Sequence, residues 1–211
     1  MVESAVTVAP TESAAGLRPV SPAAHLSERF AAAEVTGRRA VSIREVPFLT
    51  MVGVRAGPGS AAARAIEARL EISLPTVCGA VATGPGVSVV WLSPDEFLVF
   101  SDGPPAELAS ALVDALGGEP GSVIDLSANR TTFELAGPSA RLVLEKGCPL
   151  DLHSRSFAVG TAYTTLIGSV PVVLWKVADD RYRILPRSSF ADFLGRWLLD
   201  AMAEFKAPEL L

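Results

Sequence analysis

The chain has 211 residues, 49% of them hydrophobic and 19% charged, with a mean hydropathy of +0.37 and a formal net charge of -5. At roughly 100 to 200 residues per domain this length fits one large domain or two packed lobes, and an acidic chain without clustered Lys or Arg excludes binding through phosphate backbones. The longest apolar runs, Val87–Leu92 and Val170–Trp175, fall far short of the roughly 20 residues that cross a bilayer, and no basic segment leads a continuous apolar stretch at the start, so the chain reads as soluble and cytoplasmic. The apolar excess has two outlets, a generous core or a subunit interface. Cys78 and Cys148 lack neighbouring His or a second Cys at metal spacing, which leaves two buried free thiols as the expectation and no metal site.

Residues 1–17, rich in Ala, Ser, Thr and Glu without periodicity, are expected to form a disordered tail. Residues 18–38 are expected to form an extended arm, since Pro19 and Pro22 favour extended backbone. Residues 39–206 then form one globular body of two similar lobes, about 39–127 and 128–206. Strands are expected at Ala40–Val46 and Thr50–Arg55, then a helix from about Ala61 to Leu70 with Ser60 as its N-cap. A hairpin follows, Ser88–Leu92 against Phe97–Phe100, turning at Ser93-Pro94-Asp95-Glu96 with Pro94 suited to the second position of a type I turn. The next helix, Pro104–Leu116, is expected to be capped by Asp102, to bury Leu108, Leu112, Ala115 and Leu116, and to stop at Gly117. A strand at Ser122–Leu126 closes the first ferredoxin-like βαββαβ unit.

The second half repeats this plan more loosely: a strand at Thr131–Ala136 and a helix from Pro138 to Lys146 ended by Gly147. Strands Tyr163–Ile167 and Val170–Lys176 flank the hairpin signal Gly168-Ser169, and Arg181–Leu185 follows. The last helix, Ser189–Phe205, is expected to start with a capping box of Ser189 and Asp192 and to bury Phe190, Phe193, Leu194, Trp197, Leu198, Ala201 and Phe205. This unit lacks a closing strand at its C-terminal end, so Ala40–Val46 is expected to supply one by crossing between the halves. The fold class expected is α+β, two ferredoxin-like units packed together.

Chemical signals are sparse. Gly57-Pro-Gly-Ser-Ala-Ala62 fits G-x-G-x-x-A, but Pro58 removes a backbone donor and no acidic residue ends a second parallel strand about 20 residues on. His25 and His153 have no motif around them, and Asp151 with His153, Asp95 with Glu96, and Asp179 with Asp180 read as turn residues. The segment Asp125-Leu-Ser-Ala-Asn-Arg-Thr-Thr132 joins the halves. It supports two readings: a ligand contact or intersubunit salt bridge through Asp125 and Arg130, or hinge chemistry in which Asp125, Ser127 and Asn129 hold loose backbone groups.

Taken in order, Arg18-Pro-Val-Ser-Pro, Trp91-Leu-Ser-Pro-Asp-Glu-Phe, Asp125-Leu-Ser-Ala-Asn-Arg-Thr, Glu145-Lys-Gly-Cys-Pro-Leu-Asp-Leu and Ser189-Phe-Ala-Asp resemble the gamma subunits of heterotetrameric sarcosine oxidases. The likeness runs from about Arg18 to Phe205. It implies a non-catalytic structural subunit of a complex that oxidatively demethylates sarcosine to glycine, passing the methyl carbon to tetrahydrofolate or releasing it as formaldehyde. It implies no cofactor in this chain, with FAD, FMN, NAD and tetrahydrofolate held by partner subunits, and alpha, beta and delta subunits as partners. The second half, through Phe133-Glu-Leu-Ala-Gly-Pro138, is also similar to the folate-binding aminomethyltransferases, which makes a stand-alone folate-dependent C1-transfer protein the alternative. Lys146-Gly-Cys148 matches only the start of the signature of folate-dependent iron-sulfur maintenance proteins, whose Gln-Glu ending is absent. On this resemblance Arg18, Pro19, Trp91, Asp95, Asp125, Ser127, Asn129, Arg130 and Thr131 are candidates for structural or subunit contacts.

Overall fold

In a computed structural model, residues 19–207 are described; the tail expected over 1–17, and Arg18, lie outside them. Two sheets of five strands form. The first contains β2 (Thr50–Ala56), β3 (Val81–Gly84), β4 (Val87–Ser93), β5 (Glu96–Ser101) and β6 (Gly121–Asp125), with helices α2 (Ala61–Leu70) and α3 (Pro105–Leu116) between them. Its order is β3-β4-β5-β2-β6, every pairing antiparallel. Taken as β2, α2, β4, β5, α3, β6, this is the ferredoxin-like split βαβ arrangement, widened by β3 at one edge. β3 escaped the sequence reading because it is a four-residue edge strand interrupted at once by Gly84-Pro-Gly86.

The second sheet contains β7 (Phe133–Ala136), β8 (Ala162–Ile167), β9 (Val170–Ala178) and β10 (Arg181–Pro186), with helices α4 (Ala140–Glu145) and α5 (Ala191–Met202). Its order repeats the first, and its outermost place beside β7 is taken by β1 (Ser42–Glu45), with Ser42 opposite Ala136 and Glu45 opposite Phe133. The strand missing from the C-terminal end of the second lobe is thus supplied from the start of the first, and the two lobes are interlocked along the chain.

Alternation along the strands places one set of side chains under the helices and the other between the sheets. Val52, Val54, Phe97 and Val99 pack under α2 and α3 with Ile66 and Leu112. Phe133, Leu135, Leu174, Tyr182 and Ile184 pack under α4 and α5 with Val143, Leu144 and Leu198. Between the sheets Met51, Val90, Leu98 and Phe100 meet Ala162, Val173, Trp175 and Leu185, with the rings of Phe100 and Trp175 5.6 Å apart. β5 and β9 are covered on both faces, which is why Phe97–Phe100 and Val170–Trp175 read as unbroken apolar runs.

Several local expectations are corrected. The segment expected as an extended arm is helical over Ala24–Leu26 and α1 (Ser27–Ala32). Within the segment 18–38 no proline follows Pro22, and Leu26, Phe30 and Ala33 recur at helical spacing. α1 packs on the second lobe, with the Phe30 ring edge-on to Phe133 at 5.7 Å and Leu26 so near Gly195 of α5 that a Cβ there would lie 2.6 Å from Leu26 Cδ1. Asp102 does not cap α3: the helix begins at Pro105 behind Pro104 without a side-chain cap, since a proline at the first position is already set to helical φ. Ser189 and Asp192 form no capping box, because a 3-10 turn, Ser188–Phe190, leads into α5. Phe190 and Phe193 are exposed, at 39% and 52%. At 100° per residue Phe193 lies about 140° round the helix from Leu198, on the solvent side. Gly147 follows α4 without a left-handed φ; its need is close approach, an added Cβ lying 2.5 Å from Trp197 Cζ2. Cys78 is exposed in the loop before β3, whereas Cys148 is buried.

Candidate functional site

The crossover between the lobes is held by its own polar residues. Asp125 Oδ1 accepts the Ser127 backbone N–H at 2.9 Å, and Ser127 Oγ accepts the Met51 N–H at 3.0 Å. Asn129 acts through its backbone, accepting from Ser188 N–H at 2.8 Å. Arg130 donates from Nη1 to the Leu185 carbonyl at 3.0 Å and bridges Arg187. Burial, with the Arg187 guanidinium beside it, pushes the Arg130 guanidinium below its ordinary range. Asp125 and Arg130 therefore each have another partner, and no ion pair joins them among the described residues.

Thr131 leads to a polar hub that sequence reasoning missed. Glu45, at the end of β1, accepts from Thr131 Oγ1 at 2.5 Å and from the Ala23 N–H at 3.1 Å through Oε1, and from Ser21 Oγ at 2.6 Å through Oε2. One carboxylate thus ties the N-terminal segment, the interlocking strand and the crossover together. Nothing local marks it, since its donors are 22 to 86 residues away in sequence. Beside it Arg44 reaches from Nε and Nη2 to Oε1 of buried Glu134 on β7 at 3.0 and 2.7 Å.

The other candidates lie apart from this hub. Pro19 is exposed at the start of the described chain. Trp91 lies half-buried on β4 with Pro58, Pro75, Pro94 and Phe97 around a small cavity of about 120 Å³. Asp95 sits in the expected turn, accepting from Ser93 Oγ at 2.9 Å, while its carbonyl accepts from Ala56 N–H.

Among the described residues each histidine stands beside a carboxylate in a contact that the local structure accounts for. Asp151 Oδ1 accepts the His153 N–H at 2.9 Å, a turn bond, and hydrogen bonds from Ser156 and His153 hold its carboxyl below the usual range. His25 Nε2 lies 2.7 Å from Asp192 Oδ1, which Arg196 also bonds at 2.8 Å; the two bonds hold the Asp192 carboxyl below its usual range and fasten the N-terminal segment to α5. Among the described residues no three His, Cys, Asp or Glu side chains are grouped to hold a metal.

Among the described residues neither the Gly57–Ala62 turn nor the cavities beside β1 and Phe205 are built for a dinucleotide or a folate. Ser60 Oγ already takes the Ala63 N–H at the start of α2, and among the described residues the neighbours of β2 are antiparallel, so β2 forms no crevice with a parallel strand for a pyrophosphate. The space between the sheets is filled by side chains. The cavity of about 560 Å³ beside β1 is lined by Glu34, Glu45 and Glu134 against Arg44 alone, which opposes an anionic ligand. A shallow hollow carries Arg38, Arg39 and Lys206, but its ring, Phe205, is already covered by Arg39 and Lys146, 4.9 and 5.1 Å from its centre.

The profile of the sarcosine oxidase, gamma subunit family matches residues 53–204. The sarcosine oxidase subunit gamma of Corynebacterium sp. (strain U-96) is 51% identical over 191 residues, covering 90% of this chain and 93% of that protein. That of an Arthrobacter sp is 50% identical over 190 residues, covering 89% and 92%. A chain in the structure of heterotetrameric sarcosine oxidase from Corynebacterium sp. U-96, in complex with pyrrole 2-carboxylate, superposes with a TM-score of 0.88 at 50% identity, covering 92% of this chain and 99% of that one. The glycine cleavage system aminomethyltransferase T of Bartonella henselae shares the fold at 17% identity and a TM-score of 0.56, over 77% of this chain and 46% of its own. That fold likeness spans more than the second half to which the sequence resemblance pointed. The chain belongs to the sarcosine oxidase gamma subunit family.

Proposed function

We propose that the chain is a non-catalytic structural subunit of a heterotetrameric sarcosine oxidase, a complex that demethylates sarcosine oxidatively to glycine and passes the methyl carbon to tetrahydrofolate or releases it as formaldehyde. The observation that carries this reading is the likeness, at half identity and over nearly the whole of both chains, to a chain of such a heterotetramer. Its partners are alpha, beta and delta subunits, which hold FAD, FMN, NAD and tetrahydrofolate, and its location is cytoplasmic; among the described residues no helix is long and apolar enough to cross a membrane. The body acts as a brace of two lobes, about 39–127 and 128–206, with residues 18–38 as the arm, and Arg18, Pro19, Trp91, Asp95 and the segment 125–131 hold it in shape or meet its neighbours.

Exposed large apolar side chains support a partner-facing role: Val20, Phe48, Ile124 and Phe193 are each more than half exposed. Co-expression with the alpha, beta and delta chains, followed by native mass measurement, tests the reading. One copy of this chain in a four-chain assembly is expected. An assembly of the remaining subunits that forms and turns over equally well without it would refute the proposal. Calorimetry with tetrahydrofolate separates the stand-alone alternative, for which micromolar binding to the full chain alone is required.

A further inference from the structure

β1 is an edge strand whose outer side is, among the described residues, only partly paired. Val46 N–H bonds the Thr132 carbonyl, so in the antiparallel register with β7 the backbone groups of Arg44 and Ser42 also point toward β7. Those of Val41, Ile43 and Glu45 point the other way. Val41 uses its outward N–H and C=O in a two-bond bridge with Val35, at 3.0 and 2.9 Å. Beyond it the outward groups of Ile43 and Glu45 have no partner among the described residues.

This stretch of edge opens into the cavity of about 560 Å³ between β1 and α1, lined by Ser42, Ile43, Arg44 and Glu45 on one side and Ser27, Phe30 and Glu34 on the other. Three carboxylates face that space against one guanidinium, which is engaged with Glu134. Glu34 and Glu45 have no cationic partner among the described residues. At the end of the strand Pro47 lines the cavity, and Phe48 beyond it is 61% exposed and held at φ 57, a left-handed conformation disfavoured for an aromatic residue. A strained, exposed aromatic beside an open strand edge is the arrangement of a binding anchor.

We propose that the free edge of β1 takes an extended segment of another subunit of the complex, which adds a strand to the second sheet and carries a Lys or Arg side chain toward Glu34 and Glu45. The added backbone satisfies the outward groups of Ile43 and Glu45, as in strand addition to other sheet edges. Phe48 packs against the apolar residues of the same segment. The acidic lining selects a basic segment over an acidic one. The inference rests on the subunit reading and specifies one contact within it.

Hydrogen exchange on the intact complex, compared with the full chain alone, tests it. The Ile43 and Glu45 amides should exchange about ten-fold or more slowly in the complex. A photo-crosslinker at position 34 or 48, introduced into the complex, should mark an extended, Lys- or Arg-containing peptide of a different subunit; this readout does not depend on the chain folding alone. Glu34→Arg should weaken association about two- to five-fold, the range of a partly exposed charge pair, and Glu34→Gln less. If the complex has its full mass yet both amides exchange as freely as in the chain alone, or the crosslink joins two copies of this chain or marks no other subunit, the proposed contact is wrong while the subunit reading stands. If no complex forms at all, the subunit reading itself fails.

Discussion

Replacing Glu45 with alanine strands two buried donors at once. The Ala23 N–H and Thr131 Oγ1 both bond Glu45 Oε1, and both residues are at most 4% exposed. A buried polar group left without a partner costs about 1 to 3 kcal/mol. Ser21, whose Oγ bonds Oε2, is only half-buried and can turn to water. Two orphans, with some relaxation of the N-terminal segment, give an expected loss of about 3 kcal/mol, or about 6 to 12 °C in Tm for a domain of this size. Urea denaturation of the full chain measures it: the midpoint should fall with the m-value unchanged. Glu45→Gln keeps an acceptor oxygen and should recover about half of the loss. A double-mutant cycle with Thr131→Val should return a coupling of about 1 kcal/mol. A loss below about 0.5 kcal/mol for Glu45→Ala, the scale of an ordinary surface substitution, would refute the claim that this carboxylate fastens strand, arm and crossover together.

The remaining expectations concern the same framework. Asp125→Ala and Arg130→Ala should be independent, with a coupling under about 0.3 kcal/mol in a stability cycle, because each group bonds a different backbone site; coupling above about 1 kcal/mol would mean that they pair. Gly147→Ala drives a Cβ to within 2.5 Å of Trp197 Cζ2 and 2.9 Å of the Gly168 nitrogen, so a loss of about 1 to 3 kcal/mol is expected, with a changed near-UV signal from Trp197. The Asp192 carboxyl is held below its ordinary value of 3.8 by its bonds to His25 and Arg196. A depressed folded value adds stability above the unfolded value, and that stability is lost as pH falls through the folded one. Asp192→Asn should therefore destabilise near neutral pH and converge with the parent as pH falls through the folded value of the carboxyl, read from denaturation midpoints across an acidic pH series.

The large elements were legible because their signals are local. The unbroken apolar runs Phe97–Phe100 and Val170–Trp175 mark strands covered on both faces, and Ser93-Pro94-Asp95-Glu96 and Gly168-Ser169 carry their own turn chemistry. The crossing of Ala40–Val46 into the second lobe is suggested by a count alone, one strand too few in a loose repeat, and β1 does pair with β7. What escaped was tertiary or marginal. α1 was hidden by Pro19 and Pro22, which describe only the chain leading into it. Phe193, as an apolar residue, looks like core until its angle on the helix is worked out, and it is exposed. Asp125, Ser127, Asn129, Arg130 and Thr131 stand out in sequence as a polar break between apolar strands, and the partner that gives Thr131 its place, Glu45, is visible only once the fold brings it near.

Oxygen uptake with sarcosine by the purified full chain, with and without tetrahydrofolate, tests most directly whether the chemistry resides in its partners. No uptake is expected from the chain alone under conditions in which the assembled complex turns over. Sarcosine-dependent uptake by this chain without its partners would contradict the account.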